Sequence, residues 1–368
     1  MGSSRRRDHP QKGRRPVAAK GRANAVSGPI SGINGLPFTQ KRRAIFAIPA
    51  AILDPLWGQI PEFRFKLASV IPAPLSNRIS AVWGEEGQEW LARFPEILAE
   101  ITADWNLRDL RPFENLSYNF VAAATRDGKP VVLKLGVPRE EMETEALALQ
   151  VFDGRKAARL LRTDHEKGAI LIERLRPGTS MWSEWSPKTD DSQTEMAART
   201  MMEMWRPPSL GFPTTKDWFE ALTRHQSKYG ITGPLPHDLI AKAINATREL
   251  HTSNTDQRLL HGDFHHDNIL LSGEEWKVID PKGIIGPREF EIGAWIRNPC
   301  DRILKEDPEL HLIDRRVNIF AEITNLDLQC IRAWTFCGCM LSACWSIEDE
   351  GEGGEDAIAF ARALEKFV

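Results

Sequence analysis

Between Glu85 and Trp105 the apolar residues Trp90, Leu91, Phe94, Ile97, Leu98, Ile101 and Trp105 return every three or four positions, a spacing that predicts an amphipathic helix. The period then shortens. Asn119 to Ala124 and Pro130 to Leu135 read as strands, and the polar Arg126-Asp127-Gly128-Lys129 between them reads as a hairpin turn, so an antiparallel pair is expected. Pro138 opens a second helix over Arg139 to Phe152, closed by Asp153-Gly154, and Ala169 to Glu173 forms a further apolar strand. Pro177-Gly178 marks a boundary. Beyond it the pattern is mostly helical, over Asp191 to Trp205, Lys216 to Lys228, Pro236 to Thr252 and the final third, with one strand-rich interruption at 258 to 281. The chain is therefore expected to be α+β, with a small sheet-bearing lobe at 80–177 and a helical lobe at 178–368.

Charge changes this picture at the N-terminus. Residues 1–43 carry eleven Lys or Arg against the single acid Asp8, so the overall formal charge of −3 leaves about −13 on the rest of the 368 residues. That segment is rich in Arg, Gly, Ser and Pro and nearly lacks aromatics, which predicts a basic disordered tail unable to offset the entropy of ordering. The acidic remainder suits a cationic small molecule as partner better than nucleic acid. Five cysteines, Cys300, Cys330, Cys337, Cys339 and Cys344, all fall in the last fifth of the chain. An odd number argues against a secreted disulfide framework and predicts a reducing, cytoplasmic compartment. Cys330, Cys337 and Cys344 are seven apart, hence on one helix face, where thiols commonly pack inside. The most apolar run, Ala333 to Ile347, reads as too short and too rich in Ser and Cys to span a bilayer, so no membrane association is expected.

Chemistry concentrates in the strand-rich stretch. His261-Gly262-Asp263-Phe264-His265-His266-Asp267-Asn268 leads into the strand Ile269-Leu270-Leu271, a turn at Ser272 to Glu275, a strand Trp276 to Ile279, and Asp280. Closing that hairpin gathers Asp263, Asn268 and Asp280 at one end. Carboxylate and amide oxygens so gathered suit Mg²⁺, which takes few protein ligands and keeps its waters and phosphates. A zinc cluster of His261, Asp263, His265, His266 and Asp267 is the rival reading, but the order departs from the H-x-H-x-D-H run of metallo-β-lactamases and only His311 follows His266. On the other lobe, Met142, Leu149 and Phe152 form an apolar stripe that Glu145 shares. A glutamate facing inward needs a cation, and Lys134 on the preceding strand is the candidate.

The pattern H-x-D-x-x-x-x-N, then a hairpin and an Asp, resembles the catalytic and metal-binding loops of protein kinases and aminoglycoside phosphotransferases. The likeness is closer to the aminoglycoside 6-phosphotransferase and hydroxyurea phosphotransferase family, the streptomycin kinases. It runs from about residue 80 to the C-terminus through Leu116 to Asn119, Val131 to Gly136, His261 to Leu271, Ile279-Asp280-Pro281-Lys282-Gly283 and Glu289 to Pro299. Asp280-Pro281-Lys282-Gly283 replaces the Asp-Phe-Gly of protein kinases and matches the smaller family. The resemblance implies a two-lobed protein-kinase-like fold, with Asp263 as the group that positions or deprotonates the attacking hydroxyl. Asn268 and Asp280 would hold Mg²⁺ on the nucleotide, and His261 and Glu291 would brace the loop. Lys134 and Glu145 would form the phosphate-side pair, Ser117, Tyr118 and Asn119 would cover the phosphates, and the backbone from Glu173 to Leu175 would meet adenine.

Trp345, Glu348 and Asp349 are candidates for the acceptor pocket, since an indole with nearby carboxylates suits a guanidinium or ammonium sugar. The expected activity is transfer of the ATP γ-phosphate to a hydroxyl of a streptomycin-like aminoglycoside. A kinase of hydroxyurea or another small metabolite, and a catalytically silent nucleotide-binding pseudokinase, are the alternatives; intact Lys134, Asp263, Asn268 and Asp280 weigh against the last.

Overall fold

A computed structural model describes residues 71–368 apart from 115, 254–255, 308–309 and 351–352 and the side chains of 300, 301, 349 and 350. The tail expected at 1–43 lies outside the described residues. The first element, α1 (Ala73–Asp104), begins earlier than the sequence pattern suggested and breaks its helical geometry once, at Gly84 with φ +54°. On either side of that kink Leu75, Ile79, Trp90, Phe94, Ile97, Leu98 and Ile101 are buried, so the apolar stripe continues through the break.

Five antiparallel strands follow: β1 (Leu107–Pro112), β2 (Phe120–Arg126), β3 (Lys129–Leu135), then, after α2 (Glu140–Phe152), β4 (Leu160–Asp164) and β5 (Ala169–Glu173). Their order is β1-β2-β3-β5-β4. The β2–β3 register pairs Arg126 with Lys129, leaving Asp127 and Gly128 as a two-residue turn with φ +51° and +73°. Both positive values belong to the hairpin turn that matches strand twist, so the expected turn forms. Alternation along β3 does the positioning. Val131, Leu133 and Leu135 face the core shared with α1, so Lys134 faces the other side. There its cross-strand partner Ile170 packs with Met142, Ala146 and Leu149 of α2.

After β6 (Pro177–Ser180) come α3 (Asp190–Met204), α4 (Thr215–Tyr229) and α5 (His237–Ser253). Next are β7 (Gln257–Leu260), β8 (Ile269–Ser272), β9 (Glu275–Val278) and β10 (Ile284–Pro287). The chain finishes with α6 (Arg288–Arg297), α7 (Cys300–Glu306), α8 (His311–Thr324), α9 (Leu328–Glu350) and α10 (Glu355–Leu364). β8 sits between β6 and β9 in one sheet, and β7 pairs with β10 in another. Helix α9 is the hub of this part, packing on α4, α5, α6, α8 and α10. At 23 residues it is longer than the apolar run read from sequence, and its Leu328–Glu348 window meets the length and composition of a membrane span. Two-thirds of that window (67%) is buried inside the protein, so its apolarity is that of a core helix. Cys337, Cys339 and Cys344 are buried on it as unpaired thiols, whereas Cys330 is only half-buried. Burial pushes the Cys339 and Cys344 thiols up to about 12, so they stay uncharged.

A fully buried pair ties three helices together. Arg316 of α8 donates from Nε to both oxygens of Asp190 at the start of α3, at 3.0 and 3.1 Å. Its Nη1 donates to the carbonyls of Trp295, Ile296 and Asn298 at the end of α6. Trp185 Nε1 also donates to Asp190, at 2.7 Å.

Candidate active site

The loop between β7 and β8 carries Asp263, and its shape is set by three side chains. Glu291 of α6 accepts from the backbone N–H of His261 at 2.6 Å and of Gly262 at 2.9 Å. His261 lies between Ile279 O, 2.9 Å from Nε2, and the Asp263 N–H, 3.2 Å from Nδ1. This pair of partners requires a neutral imidazole with its proton on Nε2, and burial indeed lowers its pKa to about 4. Asn268 donates from Nδ2 to the Asp263 carbonyl at 2.9 Å, which leaves its amide oxygen available. His261, Glu291 and Asn268 therefore hold the loop at both ends of Asp263.

Asp263 itself lies 3.5 Å from His265 Nε2. Burial alone would raise its carboxyl, but His265, Lys282 and Arg297 more than offset this and hold it well below the usual carboxylate range. Around Asp280 the geometry is tighter. The residue adopts φ +61°, uncommon for a non-glycine, and three residues on Gly283 has φ +67°. A Cβ at Gly283 would come within 2.9 Å of both the Phe212 ring and the Thr144 carbonyl. Glycine thus lets the segment after β9 press against α2 beside Glu145. As a result Lys134 meets Glu145 at 2.6 Å and contacts Asp280 through Oδ1, while Lys282 reaches Asp280 Oδ2 at 3.2 Å. Two ammonium groups and two carboxylates are gathered between the lobes. Burial raises the Glu145 carboxyl to about 7, with Lys134 opposing, and the Asp280 carboxyl is held far below its ordinary value by Lys134 and Lys282 against the same burial effect.

The remaining candidates divide. Asn119 presses its side chain over Gly136 at the end of β3, but Ser117 and Tyr118 are tied to α1: Arg78 donates to the Ser117 carbonyl at 3.1 Å and lies over the Tyr118 ring. Glu173 accepts from Lys277 at 2.9 Å, and the N–H groups of Glu173 and Arg174 go to Arg159 and Pro130 carbonyls. Among the described residues the Leu175 N–H has no such bond. Trp345 packs edge-on against Trp218 at 5.2 Å, and a Cβ at Gly262 would lie 3.0 Å from the Trp218 ring. The indole pair therefore abuts the Asp263 loop. Glu348 is exposed on α9, and the side chain of Asp349 lies outside the described residues.

Sequence reasoning passed over Trp218 altogether, and although it quoted Lys282 it read only the neighbouring aspartate. The zinc reading fails on His266, whose buried ring stacks on Trp295 at 3.8 Å. No group of three or more His, Cys, Asp or Glu side chains is placed to hold a metal ion among the described residues.

A lysine on a sheet strand bonded to a helix glutamate, over a hairpin carrying Asp, Asn and Asp, defines a two-lobed, protein-kinase-like phosphotransferase. Within that class the chain belongs to the aminoglycoside/hydroxyurea antibiotic resistance kinase family, whose profile matches residues 105–351. It is 28% identical to the streptomycin 6-kinase of Streptomyces glaucescens over 80% of this chain and 96% of that one. It is likewise 28% identical to the hydroxyurea phosphotransferase of Kitasatospora aureofaciens, over 86% and 92%. In fold it is similar to the choline kinase LicA of Streptococcus pneumoniae, with a TM-score of 0.56 at 12% identity over 75% of this chain and 98% of that one. The protein is a kinase acting on a hydroxyl group.

Proposed function

We propose that this kinase transfers the γ-phosphate of ATP to a hydroxyl of a streptomycin-like aminoglycoside, in line and without a covalent enzyme intermediate. The observation that carries the reading is the convergence of Lys134, Glu145, Asp280 and Lys282 with the braced Asp263 loop. The acceptor oxygen bonds to the γ-phosphorus as the bond to the β,γ-bridging oxygen breaks, and the hydroxyl proton passes to an Asp263 oxygen. A carboxylate with so low a proton affinity is a weak base. Asp263 therefore chiefly orients the hydroxyl and takes its proton late, which suits a loose transition state.

Asn268 Oδ1 and the Asp280 carboxylate are the groups that would hold Mg²⁺, and hard oxygen donors of this kind fit it. When bound, the ion neutralises charge on the transferring phosphates. Lys134, kept in place by Glu145, supplies a further positive group there, and the Leu175 N–H is the hinge donor for adenine. Trp345 and Trp218, beside the loop, with the exposed Glu348 one turn on, suit a flat cationic guanidinium.

Hydroxyurea is the second reading, favoured by an equally similar relative. ATP consumption with streptomycin and hydroxyurea as competing acceptors, with the product hydroxyl located by NMR, tests both. Phosphate on the 6-hydroxyl of streptomycin is expected; turnover of hydroxyurea alone would replace the first reading by the second.

A further inference from the structure

A second recess lies away from the Asp263 loop. Ile269 and Val278 point from the β8–β9 hairpin into the helical core, so Leu271 and Trp276, two positions along each strand, share that face. Leu270 and Lys277 occupy the other face, where Lys277 bonds Glu173 of the proposed hinge. Against the Leu271 and Trp276 face stands the first part of α3, and between them is a cleft of about 400 Å³. The volume falls in the range of small-molecule sites. The hairpin itself separates this cleft from the nucleotide side.

Its walls have a chemical bias. Leu271, Trp276 and Met196 give an apolar slot, and Thr179, Glu184, Thr189, Ser192 and Gln193 give the polar rim. Gln193 is 6% exposed. Its Nε2 donates to the Met181 carbonyl at 3.4 Å, which fixes which end of the amide is oxygen, and Oε1 then has no partner. A buried amide oxygen left unpaired is costly, by about 1–3 kcal/mol. Ser192 has spent its proton on the Thr189 carbonyl at 2.8 Å, so towards the cleft it too can only accept. Glu184 adds a carboxylate. The Thr189 hydroxyl likewise donates to backbone carbonyls, so Gln193 Oε1, Ser192 and Thr189 are left as acceptors beside the one charged group, Glu184, and only the Thr179 hydroxyl and the Trp276 indole N–H can donate.

From this arrangement we infer that the cleft between α3 and the β8–β9 hairpin is a binding site for a small, flat organic cation with several N–H donors, such as an aryl amidinium or guanidinium. Its apolar body lies between Trp276 and Met196, its N–H groups reach Ser192 Oγ and the Glu184 carboxylate directly, and they meet Gln193 Oε1, an enclosed atom, once its amide turns towards the cleft. The site is separate from the acceptor pocket and does not depend on which acceptor is phosphorylated.

Benzamidine is the probe, titrated calorimetrically into the full chain. Saturable binding with a component that depends on Glu184 and Ser192 is expected, with neutral benzyl alcohol at least about tenfold weaker there, since charge-assisted bonds are lost. Glu184→Gln and Ser192→Lys, both at exposed positions that leave the fold intact, should each weaken benzamidine about tenfold or more. Gln193→Met keeps the side-chain volume and should weaken it too. Glu348→Gln, beside the Trp218–Trp345 pair that also suits a flat cation, should leave unchanged the component of binding that Glu184→Gln and Ser192→Lys weaken. Absence of saturable binding, equal affinity in Glu184→Gln and Ser192→Lys, or loss of that component in Glu348→Gln instead would overturn the assignment.

Discussion

Arg316 and Lys134 are both buried cations facing carboxylates, yet their surroundings differ. Arg316 has Asp190 and three backbone carbonyls, and Asp190 has a tryptophan N–H besides. That network is closed, with each partner supplied by the fold. Lys134 instead stands between two carboxylates that repel each other, one of them on a residue at φ +61° and shared with Lys282. Charges crowded at a lobe boundary with their geometry strained are stable only in part without a ligand, and they favour one that brings its own anionic oxygens. The first network secures helices to one another, and the second is the one that nucleotide phosphates would rearrange under the proposed function.

Substitutions should separate the two. Asp263→Asn is expected to lower kcat by about a thousandfold with ATP affinity little changed, because the lost oxygen acts on the hydroxyl. Stability should fall by no more than about 1 kcal/mol, as its His265 partner is only a partly buried contact. Single-turnover kinetics beside a urea melt would measure both; turnover near that of the unaltered protein would refute the role. Arg316→Met should do the reverse. It strands Asp190 in the core and costs about 3–5 kcal/mol in urea unfolding, while the folded fraction keeps its kcat.

The contrast also explains what could be read from the chain. The Lys134–Glu145 pair was legible because an acid on an apolar stripe needs a cation and a strand lysine lay eleven residues away. Asp263, Asn268 and Asp280 were legible because one hairpin holds them. Asp190 and Arg316 are 126 residues apart, and nothing local marks either as buried. Trp218 looks like an ordinary apolar position of α4, and only its contact with Gly262 gives it meaning. The edge strands β1 and β4 were missed for a related reason. Most of their residues are exposed on both faces, so Arg108, Asp109 and Arg111 erase the alternation that revealed β2 and β3.

A subtler distinction concerns pH. Burial raises the Glu291 carboxyl from 4.5 to about 7, against the two N–H groups it accepts from. Since both oxygens are needed as acceptors, the ionised form is the one that braces the Asp263 loop. Between pH 6 and 8 kcat/KM should rise roughly tenfold as Glu291 ionises. The sign for stability is opposite: with the folded value raised, the stabilising contribution is full below 4.5 and is lost as pH rises through about 7. Glu145 titrates in the same window, so the comparison that decides is Glu291→Gln. That variant should have a lower and flatter profile, and an unaltered pH dependence would assign the effect to Glu145.

The smallest effect is expected furthest from the crowded charges, at the acceptor side. Glu348 is exposed, one turn beyond Trp345; burial lowers the pKa of the His225 ring, and the Glu348 carboxylate offsets this only in part. An exposed carboxylate meeting a guanidinium contributes about 0.5–1 kcal/mol, a factor of two to five. Glu348→Gln should therefore raise KM for streptomycin by that factor and leave KM for ATP unchanged, with kcat altered less than kcat/KM. Raising salt from 0.05 to about 0.5 M should erase most of the difference between the two proteins, because screening acts chiefly on exposed pairs. If KM for streptomycin is the same in both proteins at low salt, Glu348 is a solvated surface acid and the cationic end of the acceptor is met by the Trp218–Trp345 pair alone.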